Sequence, residues 1–198
     1  SLIVLVSISI GSILYFGYTP IKDTILRKPT KLLLDGKWIK SQYGTPPISI
    51  ETPKVLLREE FTNKESTIYF YGKNSDDFRI NLTFLKVDKQ TNEKKSKEDK
   101  EALLRKIMDF EIKSLEEKGA VNLLVQNDTY KTLDGTETLR LFGSMDLKNG
   151  NSIDRYRFVS ILFPLDEVKI SLQIIFLKND IYGKQIEKRI FDSLEIIR

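Results

Sequence analysis

Alternation of apolar and polar side chains with a period of two runs through most of the chain beyond residue 48, and it limits the possible folds more than any other feature. Ile68 and Phe70 alternate with Tyr69 and Tyr71, and Phe78, Ile80, Leu82 and Phe84 alternate with Arg79, Asn81 and Thr83. Further on, Tyr156, Phe158 and Leu162 alternate with Arg155, Arg157, Val159 and Ile161, and Val168, Ile170, Leu172, Ile174 and Phe176 with Lys169, Ser171, Gln173 and Ile175. Side chains on a strand point to opposite faces in turn, so each segment reads as a strand with one face on a core. Asp134-Gly135 and Asn149-Gly150 are dipeptides suited to tight hairpin turns, because both positions tolerate positive φ. The pattern predicts strands near 54–59, 67–72, 78–86, 121–132, 136–147, 152–163 and 168–178. The last of these turns apolar on both faces and therefore needs cover on both.

Two segments switch to helical spacing. Between Ala102 and Lys118, Leu104, Ile107, Met108 and Leu115 form an apolar stripe interrupted only by Glu111, and Gly119 stands where a helix ends in a left-handed residue. Ile186, Ile190, Phe191 and Leu194 mark a second helix, with Asp180 as its cap. Helices are expected near 99–118 and 181–195. The fold class is thus α+β over residues 54–198, a mainly antiparallel sheet flanked by helices.

Residues 1–18, SLIVLVSISIGSILYFGY, carry no charge, and their only polar side chains are four serines and two tyrosines. At 1.5 Å per residue they reach roughly 27 Å, close to the bilayer hydrocarbon thickness. A single transmembrane anchor is the direct reading; a cleaved secretory signal is the rival, but Tyr15, Phe16, Gly17 and Tyr18 make a poor cleavage boundary. Lys22, Arg27, Lys28 and Lys31 follow and suit lipid headgroups. Taken literally they would hold the domain in the cytoplasm; the absence of cysteine, common in exported bacterial domains that do without disulfides, favours the extracytoplasmic side instead. Residues 19–53 hold five of the six prolines and read as a tether with one or two anchoring contacts, in which KLLLDGKWIKSQYG could supply a short helix or a strand docked on the domain through Leu32 to Leu34, Trp38 and Ile39. Trp38 and Tyr43 are candidate partner contacts, although a packing role is the plainer expectation for Trp38.

Composition narrows the chemistry. With no cysteine and no histidine, disulfides, thiolate nucleophiles, Cys/His zinc sites and Ser-His or Cys-His pairs are impossible. A net charge of +4 from 32 basic and 28 acidic residues gives no reason to expect nucleic acid. Asn74, Ser75, Asp76 and Asp77 could offer oxygens to calcium but lack EF-hand spacing, so a solvated turn is expected; Asn127, Asp128, Asp134 and Glu137 are no better a metal site. Lys94, Lys95, Lys97 and Lys100 are interleaved with acids, which cancels their field. Arg155 and Arg157 suit ion pairs across a sheet. No nucleophile elbow, P-loop or dinucleotide fingerprint is present, so neither catalysis nor a cofactor is expected.

The order of segments ISIETP, EEKGAVNLLVQ, LDGTETLRLFGSMD, a long strand pair and the closing DIYGKQIEKRIFDSLEI resembles PsbP-like domains over residues 48–198. The resemblance implies an α/β/α sandwich and an extracytoplasmic accessory role on a membrane complex. Two functions follow as expectations. One is a non-catalytic, membrane-anchored accessory or assembly module that docks on a membrane protein complex; the other is a membrane-tethered carrier or sensor of a small ligand. They differ in one observable, since a carrier needs several hundred cubic ångströms of space between its layers and a docking module a filled interior.

Overall fold

Long antiparallel strands form because their β-branched and aromatic residues alternate over nine to thirteen positions, and their pairing builds the body of the molecule. The computed structural model describes residues 29–60, 66–72, 76–86, 97–149, 152–163, 165 and 168–197. The expected membrane anchor, and with it Lys22, Arg27 and Lys28, lies outside the described residues, as do Asn74, Ser75, Lys94 and Lys95. No helix among the described residues is long and apolar enough to cross a membrane.

In chain order the elements are α1 (Pro29–Asp35), β1 (Ile39–Tyr43), β2 (Ile48–Thr52), β3 (Leu57–Glu60), β4 (Ser66–Tyr71), β5 (Phe78–Lys86), α2 (Lys97–Glu117), β6 (Val121–Lys131), β7 (Glu137–Asn149), β8 (Ser152–Phe163), β9 (Val168–Leu177), α3 (Ile181–Asp192) and β10 (Glu195–Ile196). Seven strands form one sheet in the order β3-β4-β5-β9-β8-β7-β6, and β1-β2-β10 form a second, smaller one. Every pairing is antiparallel. The long segments thus fold as their alternation predicts. Both expected end signals also operate: Gly119 takes φ +89° after α2, and the Asp180 carboxylate accepts from the Tyr182 amide at 3.0 Å to cap α3.

The stretch expected to be a tether is corrected by the structure from residue 29 onward. Ile48 and Ile50 of β2 are fully buried, and Leu33 of α1 joins them in the same core as Ile186 and Ile190 of α3. Pro46 and Pro47 fall in the β1–β2 turn, with a cis bond between Thr45 and Pro46, so they shape a hairpin rather than a linker. Gly44 opens that turn at φ +71°, where an added Cβ would lie 2.2 Å from the Phe84 ring. β10 then pairs with β2, placing Ile196 opposite Ile48.

The two faces of the large sheet are covered differently. Phe78, Ile80, Leu82 and Phe84 of β5 and Ile170, Leu172, Ile174 and Phe176 of β9 pack into one apolar core with α3 and the small sheet. On the opposite face Leu115 of α2 meets Leu141, Met145, Tyr156, Phe158, Leu162 and Ile175 in a second, smaller core. That second core lies toward β7 and β8, and α2 extends beyond it over a different kind of surface.

Candidate functional site

The polar phases of β5 and β9 lie under α2. In β9, Ser171 and Gln173 alternate with the core residues Ile170, Leu172 and Ile174, and in β5, Asn81 and Thr83 alternate with Ile80, Leu82 and Phe84. The register lines these residues up across four strands. One row runs Ser160, Gln173, Asn81, Phe70, and the next runs Leu162, Ser171, Thr83, Ile68. The middle of the floor is therefore polar, its β4 end is apolar, and its β8 end carries Ser160 beside Leu162. Phe110, Glu111 and Ser114 of α2 stand over it.

Between floor and roof is a cleft of about 670 Å³. Leu85 and Lys169 line it at one end and Gly72 at the other, while Glu59 and Lys118 complete the wall. The volume falls within the roughly 300–1,000 Å³ of small-molecule sites, and the walls have the expected makeup of apolar surface with a few polar groups. Phe110 is 63% exposed at the rim, an uncommon position for a phenylalanine on a helix that has a core to pack against.

Three side chains give the cleft its chemistry. Glu111, buried at 7% exposure, accepts a hydrogen bond from the Ser171 hydroxyl at 2.6 Å. Burial pushes its carboxyl pKa up, while the Ser171 bond and the charge of Lys118 act in the opposite direction. Lys118 keeps its contact with solvent, but it stands in a concavity with protein on most sides, and this desolvation lowers its ammonium pKa; Glu111 raises it and Arg79 lowers it further. Gln173, only 3% exposed, donates through Nε2 to Ser160 Oγ at 3.4 Å, a long bond, and its Oε1 has no partner. An unsatisfied buried amide oxygen costs about 1–3 kcal/mol, so it is an unexpected residue for a purely structural interior.

The residues expected to contact partners sit elsewhere. Tyr43 is a core residue: its ring packs on Tyr69 with centroids 5.1 Å apart, and its hydroxyl accepts from the Leu56 amide at 3.0 Å. At 5% exposure it offers no surface to a partner, which corrects that expectation. Trp38 is half-buried, its indole Nε1 donates to the Leu34 carbonyl at 2.9 Å, and the Arg189 guanidinium stacks 4.1 Å from its ring. Lys31, the described member of the basic set, lies 5.4 Å from the Tyr182 ring.

Other candidates resolve into structure. Arg155 pairs with Asp146 across β7 and β8 at 3.1 Å, and Arg157 grips Glu187 of α3 with two hydrogen bonds of 3.0 and 3.2 Å. Asp128 is held by Arg140, which keeps its carboxyl below the ordinary range, and Asp134 accepts from Thr132 and Thr136 in its own turn at 2.6 Å each. Partial burial raises the Asp77 pKa, as do the nearby carboxylates of Asp154, Asp180 and Asp76. No group of acids able to hold a metal ion occurs among the described residues.

Fold and site together define an α+β sandwich with an open cleft between its sheet and one helix. No family model and no curated protein matches the chain. Among solved structures, the Ran-binding protein Mog1p of Saccharomyces cerevisiae aligns at a TM-score of 0.43 and 11% identity, covering 82% of this chain and 96% of that one. LpqN, involved in cell envelope biogenesis of Mycobacterium tuberculosis, aligns at 0.45 and 14%, covering 86% of this chain and 98% of that one. Both scores are below one half, and no property of either protein is carried over to this chain.

Proposed function

We propose that this protein is a non-catalytic carrier or sensor that takes a small, largely apolar molecule into the cleft between β4, β5, β9 and α2. The carrying observation is the cleft itself, since about 670 Å³ lies open where a docking module would have packed side chains. The uncharged run at residues 1–18 supports tethering of the domain to a membrane, into which apolar ligands partition, and the absence of cysteine supports the extracytoplasmic side. The test is to purify the full chain from its native membrane, extract it with organic solvent and identify bound small molecules by mass spectrometry. One class of molecule is expected at near-stoichiometric yield, and Thr83→Trp, which fills the floor, should reduce it several-fold. If nothing coextracts from the wild type, the carrier reading falls.

Docking on a membrane protein complex is the second reading, and one observation favours it. β6 is an edge strand of the large sheet, and Val121 and Leu124 on it are 53% and 60% exposed. The likeness of the segment order to PsbP-like domains supports the same role. Crosslinking in the native membrane should then recover a protein partner, with a yield that falls when residues 1–18 are removed.

A further inference from the structure

The cleft opens on one side of the molecule. Its lining passes from buried Leu162 and Gln173 on β8 and β9, through half-buried Ile68 and Phe70 on β4, to exposed Glu59 on β3. Leu57 of β3 stands opposite Phe70, and residues opposite each other in an antiparallel pair share a face, so Leu57 carries the apolar floor outward beyond a residue that lines the cleft. Among the described residues β3 ends the large sheet, and Leu57 is 64% exposed. On the roof, Phe110 lies five residues from Leu115, about 140° away around α2. Leu115 packs over β7 and β8, which leaves the exposed Phe110 on the opposite side of the helix, toward β4 and β3. Two large apolar side chains, one from floor and one from roof, thus stand in water at the mouth.

We propose, on the basis of the carrier reading above, that Leu57 and Phe110 seat the mouth of the cleft on a lipid bilayer, so that an apolar ligand passes between membrane and cleft without crossing water. The position of the N-terminal chain favours this occupant. Pro29 shares a cavity with Tyr71, the residue after Phe70, so the preceding chain joins the domain at the same end of β4 as Leu57. Ten residues, 19–28, separate Pro29 from the uncharged run 1–18, and ten extended residues span at most about 35 Å, which keeps the mouth within reach of a bilayer that holds the run. Two side chains alone grip a membrane weakly; the tether supplies the effective concentration that makes so small a contact sufficient. A protein partner is less well served. The exposed surface of two side chains is far below the roughly 800 Å² per partner of a stable interface, and β3 is a four-residue edge carrying Arg58, Glu59 and Glu60, which suits strand addition poorly.

The chain has no cysteine, so a single substitution gives a single labelling position. Leu57→Cys, Phe110→Cys and, at the opposite edge of the sheet, Leu124→Cys are each made in the full chain, labelled with an environment-sensitive fluorophore and reconstituted in phosphatidylcholine vesicles. All three positions are exposed, so the fold should tolerate the label. Lipids bearing a nitroxide on the acyl chain should quench the labels at 57 and 110 at least about threefold more than the label at 124, as expected for side chains that reach the headgroup and acyl boundary. Adding Leu57→Asp to the Phe110→Cys protein should cut its quenching at least about twofold, whereas Leu124→Asp should leave it unchanged. Equal quenching at all three positions, or stronger quenching at 124, overturns the docking inference. Shielding of 57 and 110 from aqueous iodide without acyl-chain quenching also overturns it and assigns the lips to a second copy of the chain. Failure of the full chain to float with the vesicles removes the tether on which the inference depends. None of these results touches the carrier reading, which stands or falls on the molecule recovered by solvent extraction.

Discussion

Glu111→Gln isolates the free-energy cost of placing a carboxyl group under α2. The folded protein holds this carboxyl above the ordinary glutamate value of 4.5, chiefly by desolvation. Between that value and the raised one, the native state binds more protons at this site than the unfolded chain does, so stability falls as pH rises through the interval. The Glu111 contribution is fully present at and below pH 4.5 and is lost by the time the folded group has ionised. Each pH unit between the two values corresponds to about 1.4 kcal/mol. Glutamine does not titrate and can still accept from Ser171 Oγ, so the variant should match the wild type near pH 4 and become progressively more stable than it as pH rises, with the difference constant above the folded value. Loss of the Glu111–Lys118 attraction works against this by less than about 1 kcal/mol, because Lys118 is open to solvent. Urea unfolding at a series of pH values from 4 to 8, with unchanged m, reads the difference directly. A difference that stays constant over that range, or a variant less stable than wild type at pH 8, would refute the claim that Glu111 is held in a desolvated site.

Other outcomes follow from the packing. Gly44→Ala should cost about 3 kcal/mol in urea unfolding, since it combines a left-handed φ with a Cβ that meets the Phe84 ring at 2.2 Å. Ile190→Ala, in a fully buried side chain of α3, should cost about 3 kcal/mol by leaving a cavity against the sheet, whereas Lys113→Ala at the exposed end of α2 should change stability by less than about 0.5 kcal/mol. Arg157→Met removes both hydrogen bonds to Glu187 and should cost about 2 kcal/mol, less in high salt. Deleting residues 1–20 should leave a domain with the far-ultraviolet circular dichroism and cooperative melting of the full chain; loss of cooperativity would place that segment in the core.

The long strands and two main helices could be read from the chain because each carries its own repeating pattern. β5 is predicted and found at 78–86, and β8 at 152–163. α1 and β1 were legible only as a short helix or strand docking within residues 31–44, and the small sheet itself escaped because its signal is not local: β2 has five residues, β10 has two, and they are paired only once the chain has folded. Five prolines in the preceding stretch also argued for a tether, although two of them serve a hairpin turn. The cleft was legible in one respect. Glu111 broke the apolar stripe of its helix, and that break marks the buried carboxyl. Asn81, Thr83, Ser171 and Gln173 stand out in the sequence only as the polar phase of their strands, because alternation distinguishes two faces without saying which residues a helix will cover; the position of α2 over them depends on tertiary packing. Tyr43 misled for the opposite reason, since a tyrosine in a proline-rich stretch looks like a surface residue until the hairpin around it is known.

The pairing of β2 with β10 has a bearing on how the molecule is made. The Glu51 amide and the Ser193 hydroxyl bond at 2.8 Å although 142 residues separate them, and Ile197 reaches back to the Pro47 carbonyl at 2.9 Å. During synthesis the β1–β2 hairpin emerges early and waits, with one edge and its apolar face uncovered, until α3 and β10 follow. The large sheet shares that delay, because β5 reaches its partner β9 only after three other strands and α2 have been made. Such distant closures favour slow folding and leave strand edges open to intermolecular pairing in the meantime. A nascent chain stalled before residue 180 should therefore be recognised by chaperones and cut readily by proteases within β1 and β2, and protection of those two strands should appear only once the segment through residue 197 is free to fold back.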